Sequence, residues 1–353
     1  MTISQPQDRN REDFVWKDGE RLIAYGPSAL ASLPAFLRAA GMEEFVAVAT
    51  DRSASQAPDV IGMAVETVFA GEGRVDAIAA DLLEQVGDRP VVAVGGGRVV
   101  DAAKALGGAT GKPVGVVPTT LSGAPMTPFH RLPAGFDGPL KHVRPMVVIA
   151  VPDLMASQPV DLRTGSAMNA LAHAVESIFV TTSSAVPRLA ARGAIELLYG
   201  GLVGRGIGPE PESRGAETLR RAKLALGAIE AGYAVGSTGY AIHHVICQTV
   251  VRVAEVPHAP TYGVMLPFTL EFLKIRDAIA WEMVAEAIGE DDPSTAIARV
   301  NAEAGLPTSL SALGVAPERI DSIVAAAESR AELKLTPGGA DADDIRSLLD
   351  AAF

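Results

Sequence analysis

The sequence divides into two stretches with different hydrophobic patterning. In the first stretch, short apolar runs alternate with segments whose apolar residues recur every three or four positions. The runs predict strands at Phe45–Thr50, Pro90–Val94, Val114–Val117 and Met146–Val151, and the periodic segments predict helices at Ala29–Ala40 and Val75–Val86. Because strands that are apolar throughout are buried on both faces, we expect a mostly parallel sheet covered by helices.

After Pro152 the strand pattern nearly disappears. Long segments rich in Ala and Leu predict helices at Gly165–Val180, Pro187–Leu202, Glu217–Gly232, Gly239–Val253, Phe268–Ile288, Pro293–Ala304 and Arg319–Ala327. The length of 353 residues fits about two domains. We therefore expect an α/β domain over residues 1–155 and an all-helical domain over residues 156–353.

Composition excludes several classes of protein. With 48% hydrophobic and 20% charged residues the chain can form a large core, and its net charge of −12 gives no general attraction to nucleic acid or to an anionic membrane. Met1 to Asp13 shows no apolar signal segment, and no stretch is apolar enough to span a bilayer, so we expect a soluble cytoplasmic protein. The single cysteine, Cys247, excludes an intramolecular disulfide and a Cys-rich zinc site.

The strongest local motif is Gly95-Gly96-Gly97, which follows a predicted strand and opens a predicted helix containing Asp101 and Lys104. Glycines let a backbone approach a pyrophosphate closely, and the N-terminus of the next helix favours negative charge. The motif therefore predicts dinucleotide binding. The alternative is a tight strand–helix turn with no ligand.

Other candidate cofactor residues follow neighbouring strands. Thr119, Thr120 and the adjacent Leu121 come after one strand, where two hydroxyls suit a dinucleotide; capping of a turn is the alternative. Asp51 comes after another strand, where a carboxylate accepts from ribose hydroxyls and repels a 2′-phosphate. Asp51 therefore favours NAD over NADP, unless it is only a turn residue.

Four of the six histidines lie in the second stretch: His173, His243, His244 and His258. Asn169, His173 and Glu176 share one face of a predicted helix, and His258 lies in a Pro-flanked segment predicted as a loop. These residues predict a polar site, with ordinary core histidines as the alternative. Adjacent His243 and His244 cannot both point the same way from a helix. Three imidazoles with an open position are also able to hold a catalytic metal.

These motifs, in this order, resemble the iron-containing alcohol dehydrogenase superfamily, which shares its fold with dehydroquinate synthase. The stretch from Met168 to Glu176, His243-His244 and Pro257-His258-Ala259 are most similar to the maleylacetate reductase branch. The resemblance implies a Rossmann-like NAD-binding domain followed by a helical catalytic domain. It also implies NADH as cofactor, with NADPH as the alternative, and a homodimer.

The residue at position 169 bears on the metal. Metal-dependent members carry an aspartate ligand there, whereas an asparagine amide is a poor ligand for iron or zinc. The resemblance to maleylacetate reductases therefore implies a metal-free enzyme; a bound metal would instead use His173, His244 and His258. Arg98, Ala124-Pro125 and Gln248 depart from the pattern of that branch.

The resemblance leads to a specific hypothesis: NADH-dependent reduction of maleylacetate, a small anionic substrate of aromatic-compound degradation, to 3-oxoadipate. Asn169, His173, His244 and His258 are candidates to bind the substrate, and His243 or His244 to deliver a proton. Three alternatives stay open at this point. They are a metal-dependent alcohol dehydrogenase of the superfamily, a lyase that uses NAD transiently, and a member that has lost catalysis and serves as a scaffold.

Overall fold

The computed structural model describes residues 13–203 and 213–353. The polar N-terminal stretch, from which no signal peptide was expected, lies almost wholly outside these residues. Packing divides the chain into two compact units: one holds the described residues up to Thr119 with His130–Met155, and the other holds Thr120–Phe129 with the described residues from Ala156 onward. Residues 120–129, expected in the first domain, pack with the second unit. A close backbone approach permits this, because a Cβ on Gly123 would lie 3.1 Å from the Cα of Gly232.

The first unit is built on a seven-stranded sheet. Its strands are β1 (Phe14–Asp18), β2 (Arg21–Tyr25), β3 (Val46–Ala49), β4 (Glu66–Phe69), β5 (Val91–Gly95), β6 (Val114–Pro118) and β7 (Val147–Ala150). Their order is β1-β2-β7-β6-β5-β3-β4, and only the β1–β2 pair is antiparallel. The expected mostly parallel sheet is confirmed.

Three strands, β1, β2 and β4, were not predicted from the hydrophobic pattern, and the structure shows why. β1 and β4 are the two edge strands, and Phe14, Val15 and Phe69 are exposed on them. An edge strand is not buried on both faces, so it carries no continuous apolar run. β2 is buried but begins with Arg21, whose Nε donates to the Pro145 carbonyl at 3.0 Å.

The described residues of the first unit form six α-helices: α1 (Leu33–Ala39), α2 (Asp51–Gln56), α3 (Pro58–Ile61), α4 (Val75–Val86), α5 (Gly97–Thr110) and α6 (Pro152–Met155). The core lies between the sheet and these helices. On one side Phe36 and Leu37 of α1 pack with Phe45 and Ile149 in a fully apolar cluster. Burial of the strands on both faces explains why β3, β5, β6 and β7 were visible as apolar runs.

The described residues of the second unit contain helices and no strand. The α-helices are α7 (Val160–Phe179), α8 (Ala185–Leu202), α9 (Arg214–Thr238), α10 (Ile242–Ala254), α11 (His258–Arg276), α12 (Ala278–Ile288), α13 (Pro293–Glu303), α14 (Ile320–Glu328) and α15 (Ala342–Ala352). The predicted combination of an α/β part and a helical part is therefore confirmed.

The single helix expected at Phe268–Ile288 is wrong, because the chain forms two helices there. α11 ends at Arg276, and the carboxylate of Asp277 accepts a hydrogen bond from the Ala280 N–H at 3.0 Å to begin α12. Within the described ranges, no helix combines the length and apolar character needed to cross a membrane.

Candidate functional site

The triple glycine lies at the turn between β5 and α5. Gly95 ends the strand, Gly96 precedes the helix and Gly97 is its first residue. A Cβ on Gly95 would lie 2.7 Å from the Cβ of Val99, so this close turn requires glycine. Among the described side chains none caps α5, and the exposed Arg98 adds positive charge to its first turn. The first N–H groups of α5 therefore suit a phosphate group.

Asp51 lies at the same edge of the sheet. β3 and β5 are neighbours, but the chain passes from β3 to β4 on one side before returning to β5 on the other. Ligands of such sheets bind where the strand order reverses, at the carboxyl ends of the strands. The exposed Asp51 begins α2 just beyond β3, and the Ser53 hydroxyl donates to the Val94 carbonyl at 2.7 Å. This placement of Asp51 beside the glycine turn suits a dinucleotide.

Lys104 and Asp101 form an ion pair one turn apart on α5. The Lys104 side chain is fully buried, and its Nζ lies 2.7 Å from Oδ1 of Asp101. Burial lowers the pKa of Lys104, while the Asp101 carboxylate acts in the opposite direction. The structure therefore shows a buried lysine paired with a partly exposed aspartate behind the first turn of α5, and direct cofactor contact by these residues stays a prediction.

The residues after β6 are divided between the units. Thr119 is buried, and its N–H donates to the Gly95 carbonyl at 2.9 Å, which places it beside the glycine turn. Thr120 is partly exposed and Leu121 fully buried, and both pack with the second unit. Contact of Thr120 and Leu121 with the cofactor stays a prediction.

In the second unit, three imidazoles lie close together, and a tyrosine contacts two of them. His173 on α7 and His244 on α10 stack, with ring centroids 4.6 Å apart and planes 14° apart. The centroid of Tyr262 on α11 lies 4.9 Å from that of His244 and 4.6 Å from that of His258. His258 is exposed and is the first residue of α11, so the expected loop ends one residue earlier, at Pro257, and does not include His258. The structure thus brings His173, His244 and His258 together.

His243 and His244 point in different directions, which confirms the expectation for adjacent helical residues. Their rings are 76° apart, and Nδ1 of His243 lies 2.9 Å from the Thr269 hydroxyl inside the helical core. Cys247 also contacts this ring, with Sγ 3.7 Å from Nε2. Burial lowers the pKa of His243 to about 3. The structure therefore leaves His244, rather than His243, beside His173.

Glu176 on α7 holds His244. The carboxylate is buried, and its Oε2 lies 2.5 Å from Nδ1 of His244. Burial, with His258 acting in the same direction, lowers the pKa of His244 to about 3, so the ring is neutral at pH 7. In the described part of the chain, three buried polar atoms of this site have no hydrogen-bond partner: Oδ1 of Asn169, Nδ1 of His173 and Nε2 of His244.

A second polar group lies next to the imidazoles. Arg330 donates to Oε1 of Gln248 at 3.1 Å, to the Tyr240 hydroxyl at 3.2 Å and to Glu332 at 2.7 Å. The Tyr240 ring centroid lies 5.4 Å from that of His244. The half-buried Arg330 cation therefore reaches the site through Tyr240, and Gln248, which departs from the related branch, accepts a hydrogen bond from the same guanidinium.

The side chains of this histidine site do not fit an iron or zinc ion. The lone pairs of an imidazole lie in the plane of its ring, so two parallel stacked rings cannot both direct them at one ion. Asn169 offers a neutral amide, and the Glu176 carboxylate already accepts from N–H groups. Within residues 13–203 and 213–353, no three His, Cys, Asp or Glu side chains are grouped to hold a metal.

Tyr262, and Arg330 with its hydrogen-bond partners, were not predicted from the sequence. Tyr262 is fully buried and stands four residues after His258, so helical spacing within α11 was a usable signal once that helix was recognised. Arg330 is 82 residues from Gln248 in sequence, and nothing local connects them. Only the tertiary structure shows that they meet.

Comparisons with known proteins agree with this architecture. Residues 164–353 match "Fe-containing alcohol dehydrogenase family, C-terminal", and residues 24–127 match "Iron-containing alcohol dehydrogenase". The chain is 33% identical to maleylacetate reductase 1 of Rhodococcus opacus over 271 residues, 74% of this chain and 72% of that protein. It is 28% identical to maleylacetate reductase of Burkholderia cepacia over 351 residues, 94% of this chain and 95% of that one. The crystal structure of maleylacetate reductase from Rhizobium sp. shares the fold, with a TM-score of 0.83, 24% identity and coverage of 97% of this chain and 98% of that chain.

Proposed function

The chain belongs to the iron-containing alcohol dehydrogenase family of oxidoreductases, and from this premise we propose that it reduces maleylacetate, or a similar 4-oxo-2-enedioate, with NADH. The product from maleylacetate is 3-oxoadipate, an intermediate of aromatic-compound degradation. The reaction proceeds without a metal ion.

The observation that carries the proposal is the set of buried, unpaired polar atoms on Asn169, His173 and His244. Buried polar groups are almost always hydrogen-bonded, so such a set in one place indicates a polar ligand. The side chains are neutral imidazoles and an amide, and the nearby carboxylate of Glu176 is turned to N–H donors. A dianion therefore meets no exposed negative charge from these groups, despite the net charge of −12.

The first unit holds the cofactor in this proposal. The N-terminus of α5 with Gly95–Gly97 binds the pyrophosphate, and Asp51 accepts from the adenosine ribose hydroxyls. Bound NADH supplies the hydride, which forms a C–H bond at C2 of the substrate. The electron pair of the double bond then moves to the ketone as an enolate.

The second unit stabilises that enolate and completes the reduction. His173 and His258 bind oxygens of the substrate. The unpaired Oδ1 of Asn169 can only accept, so the amide of Asn169 turns to donate from its NH₂ group when the dianion binds. The negative charge of the substrate favours a protonated imidazole beside it, so His244 takes up a proton and delivers it to C3. One hydride and one proton are thus added across the double bond.

A substrate panel tests the proposal. NADH oxidation is followed with maleylacetate, other 2-enoic diacids, aldehydes and ketones, and the product is identified by mass. We expect stoichiometric NADH consumption with the enedioates alone. Reduction of aldehydes alone would support the alcohol dehydrogenase alternative, turnover without net NADH consumption the lyase, and failure to bind NADH the scaffold.

Single variants test the site. His244→Asn should lower kcat by about 10²-fold or more, because it removes the proton donor. His258→Asn should raise KM for the diacid, and the exposed His142→Asn in the first unit serves as the matched control. Native rates for both His244→Asn and His258→Asn would overturn the arrangement.

A further inference from the structure

Glu176 is a buried carboxylate surrounded by N–H donors. Its Oε1 lies 2.7 Å from the His243 backbone nitrogen and 3.4 Å from that of His244, at the start of α10. The Ala241 N–H also bonds to this carboxylate. Its other oxygen, Oε2, lies 2.5 Å from Nδ1 of His244. One side chain of α7 therefore caps α10 and contacts the imidazole that α10 carries.

The geometry determines which ring nitrogen of His244 carries the proton. A carboxylate is only an acceptor, so the nitrogen that faces it must be a donor. Burial raises the pKa of Glu176, while the three backbone N–H groups and the positive end of the 13-residue helix α10 act in the opposite direction and favour its carboxylate form. Nδ1 of a neutral His244 therefore carries the proton, and Nε2 presents a lone pair.

Nε2 of His244 is buried and has no hydrogen-bond partner in the described ranges. We infer that Glu176 is a positioning residue that fixes His244 as the Nδ1–H tautomer, so that Nε2 is the unprotonated nitrogen that contacts the substrate. The inference rests on the proposed function only for the identity of that substrate. With the opposite tautomer, the lone pair would lie on Nδ1, and the imidazolium that donates to C3 could form only by protonation at Nδ1, on the side that faces Glu176 and not the substrate.

His173 and Tyr262 hold the ring in place. His173 stacks on one face of His244 at 4.6 Å, and Tyr262 meets it edge-on at 4.9 Å, centroid to centroid. The ring therefore has little room to turn its nitrogens. Glu176 selects the tautomer and the two neighbouring rings maintain the orientation, a division of roles also found where a carboxylate orients a functional histidine.

The decisive variant is Glu176→Gln. The amide keeps the shape of the carboxylate, and its oxygen still accepts from the α10 backbone, but its NH₂ group donates toward Nδ1. We expect ¹⁵N NMR of the substrate-free protein, labelled at histidine, to show His244 protonated at Nδ1 in the native chain and at Nε2 in the variant. The wrong tautomer should lower kcat by on the order of 10²–10⁴-fold, with KM for NADH unchanged.

Glu230→Gln, a second substitution at a largely buried glutamate, is the matched control and should change neither the tautomer nor kcat. If Glu176→Gln does not fold, the ¹⁵N spectrum of the native protein is a sufficient test. A neutral His244 that carries its proton on Nε2 overturns the inference. A variant that swaps the tautomer but keeps the native kcat also overturns it. The tautomer is measured without substrate, so an inactive native enzyme would overturn the proposed function and not the tautomer assignment.

Discussion

The imidazoles of His173 and His244 stack face to face, 4.6 Å between centroids, although they come from different helices. Each ring lowers the tendency of its neighbour to ionise, because two positive charges at this distance repel each other. Burial lowers the pKa of His173 well below its usual value, and His244 acts in the same direction. The pair is therefore neutral without substrate and accepts at most one proton when an anion binds.

The same stacking predicts that activity survives chelation. Parallel rings do not converge on one ion, and Asn169 brings no negative charge. We expect dialysis against EDTA to leave NADH-dependent activity unchanged, and elemental analysis to find substoichiometric iron and zinc. Loss of activity that added Zn²⁺ or Fe²⁺ restores would establish the metal-dependent alternative.

Gly123→Ala should disturb the histidine site. Its Cβ would lie 3.1 Å from Nδ1 of His173 and 3.1 Å from the Cα of Gly232, closer than ordinary packing allows. We expect a stability loss of about 1–3 kcal/mol from overpacking, together with a lower kcat. Urea unfolding and steady-state kinetics measure the two effects.

Gly215→Ala is the control for Gly123→Ala. Gly215 lies in the exposed first turn of α9, and no atom lies within 4 Å of its added Cβ. It should leave kcat unchanged and stabilise the chain slightly, since alanine restricts the unfolded chain. Equal losses in both variants would contradict the packing argument.

Asp51→Asn should relax the choice of cofactor. Removing the carboxylate removes repulsion of a 2′-phosphate, so the ratio of kcat/KM for NADPH to that for NADH should rise about tenfold. Asp59→Asn, an exposed aspartate in the first turn of α3, is the matched control. An unchanged ratio in Asp51→Asn would place the adenosine ribose elsewhere.

The raised pKa of Glu230 predicts that the folded chain loses stability as pH rises. Burial, with the Glu196 charge acting in the same direction, raises the pKa of Glu230 to about 7 from an ordinary 4.5. A raised folded-state pKa means that the native state binds more protons than the unfolded state between these values. The contribution of Glu230 to the free energy of unfolding is therefore fully present below pH 4.5 and is lost as pH rises to 7.

Glu230→Gln removes this titration. We expect the variant to be more stable than the native chain at pH 8, by up to about 3 kcal/mol, and little different at pH 4.5. Urea unfolding at both pH values measures the difference, with exposed Glu282→Gln as the control. A gain that is equal at both pH values would show that ionisation is not the cause.

Much of the fold was predictable because its signals are local. Four buried strands were visible as apolar runs, and the triple glycine was placed correctly because strand, turn and helix are consecutive in sequence. The edge strands β1 and β4 were missed because exposure to solvent removes the apolar run. The break at Asp277 was missed because one capping carboxylate ended a continuous apolar pattern.

The amino-acid pattern alone predicted the two-part architecture, the glycine turn and which histidines form the site. It also showed that His243 and His244 diverge, since adjacent helical residues point about 100° apart. Which of them meets His173 depends on the tertiary structure. His243 lies against Thr269 on α11, and His244 lies against Glu176 on α7, the helix that also carries His173. Such pairings depend on contacts between segments that are distant in sequence, and hydrophobic periodicity does not predict those contacts.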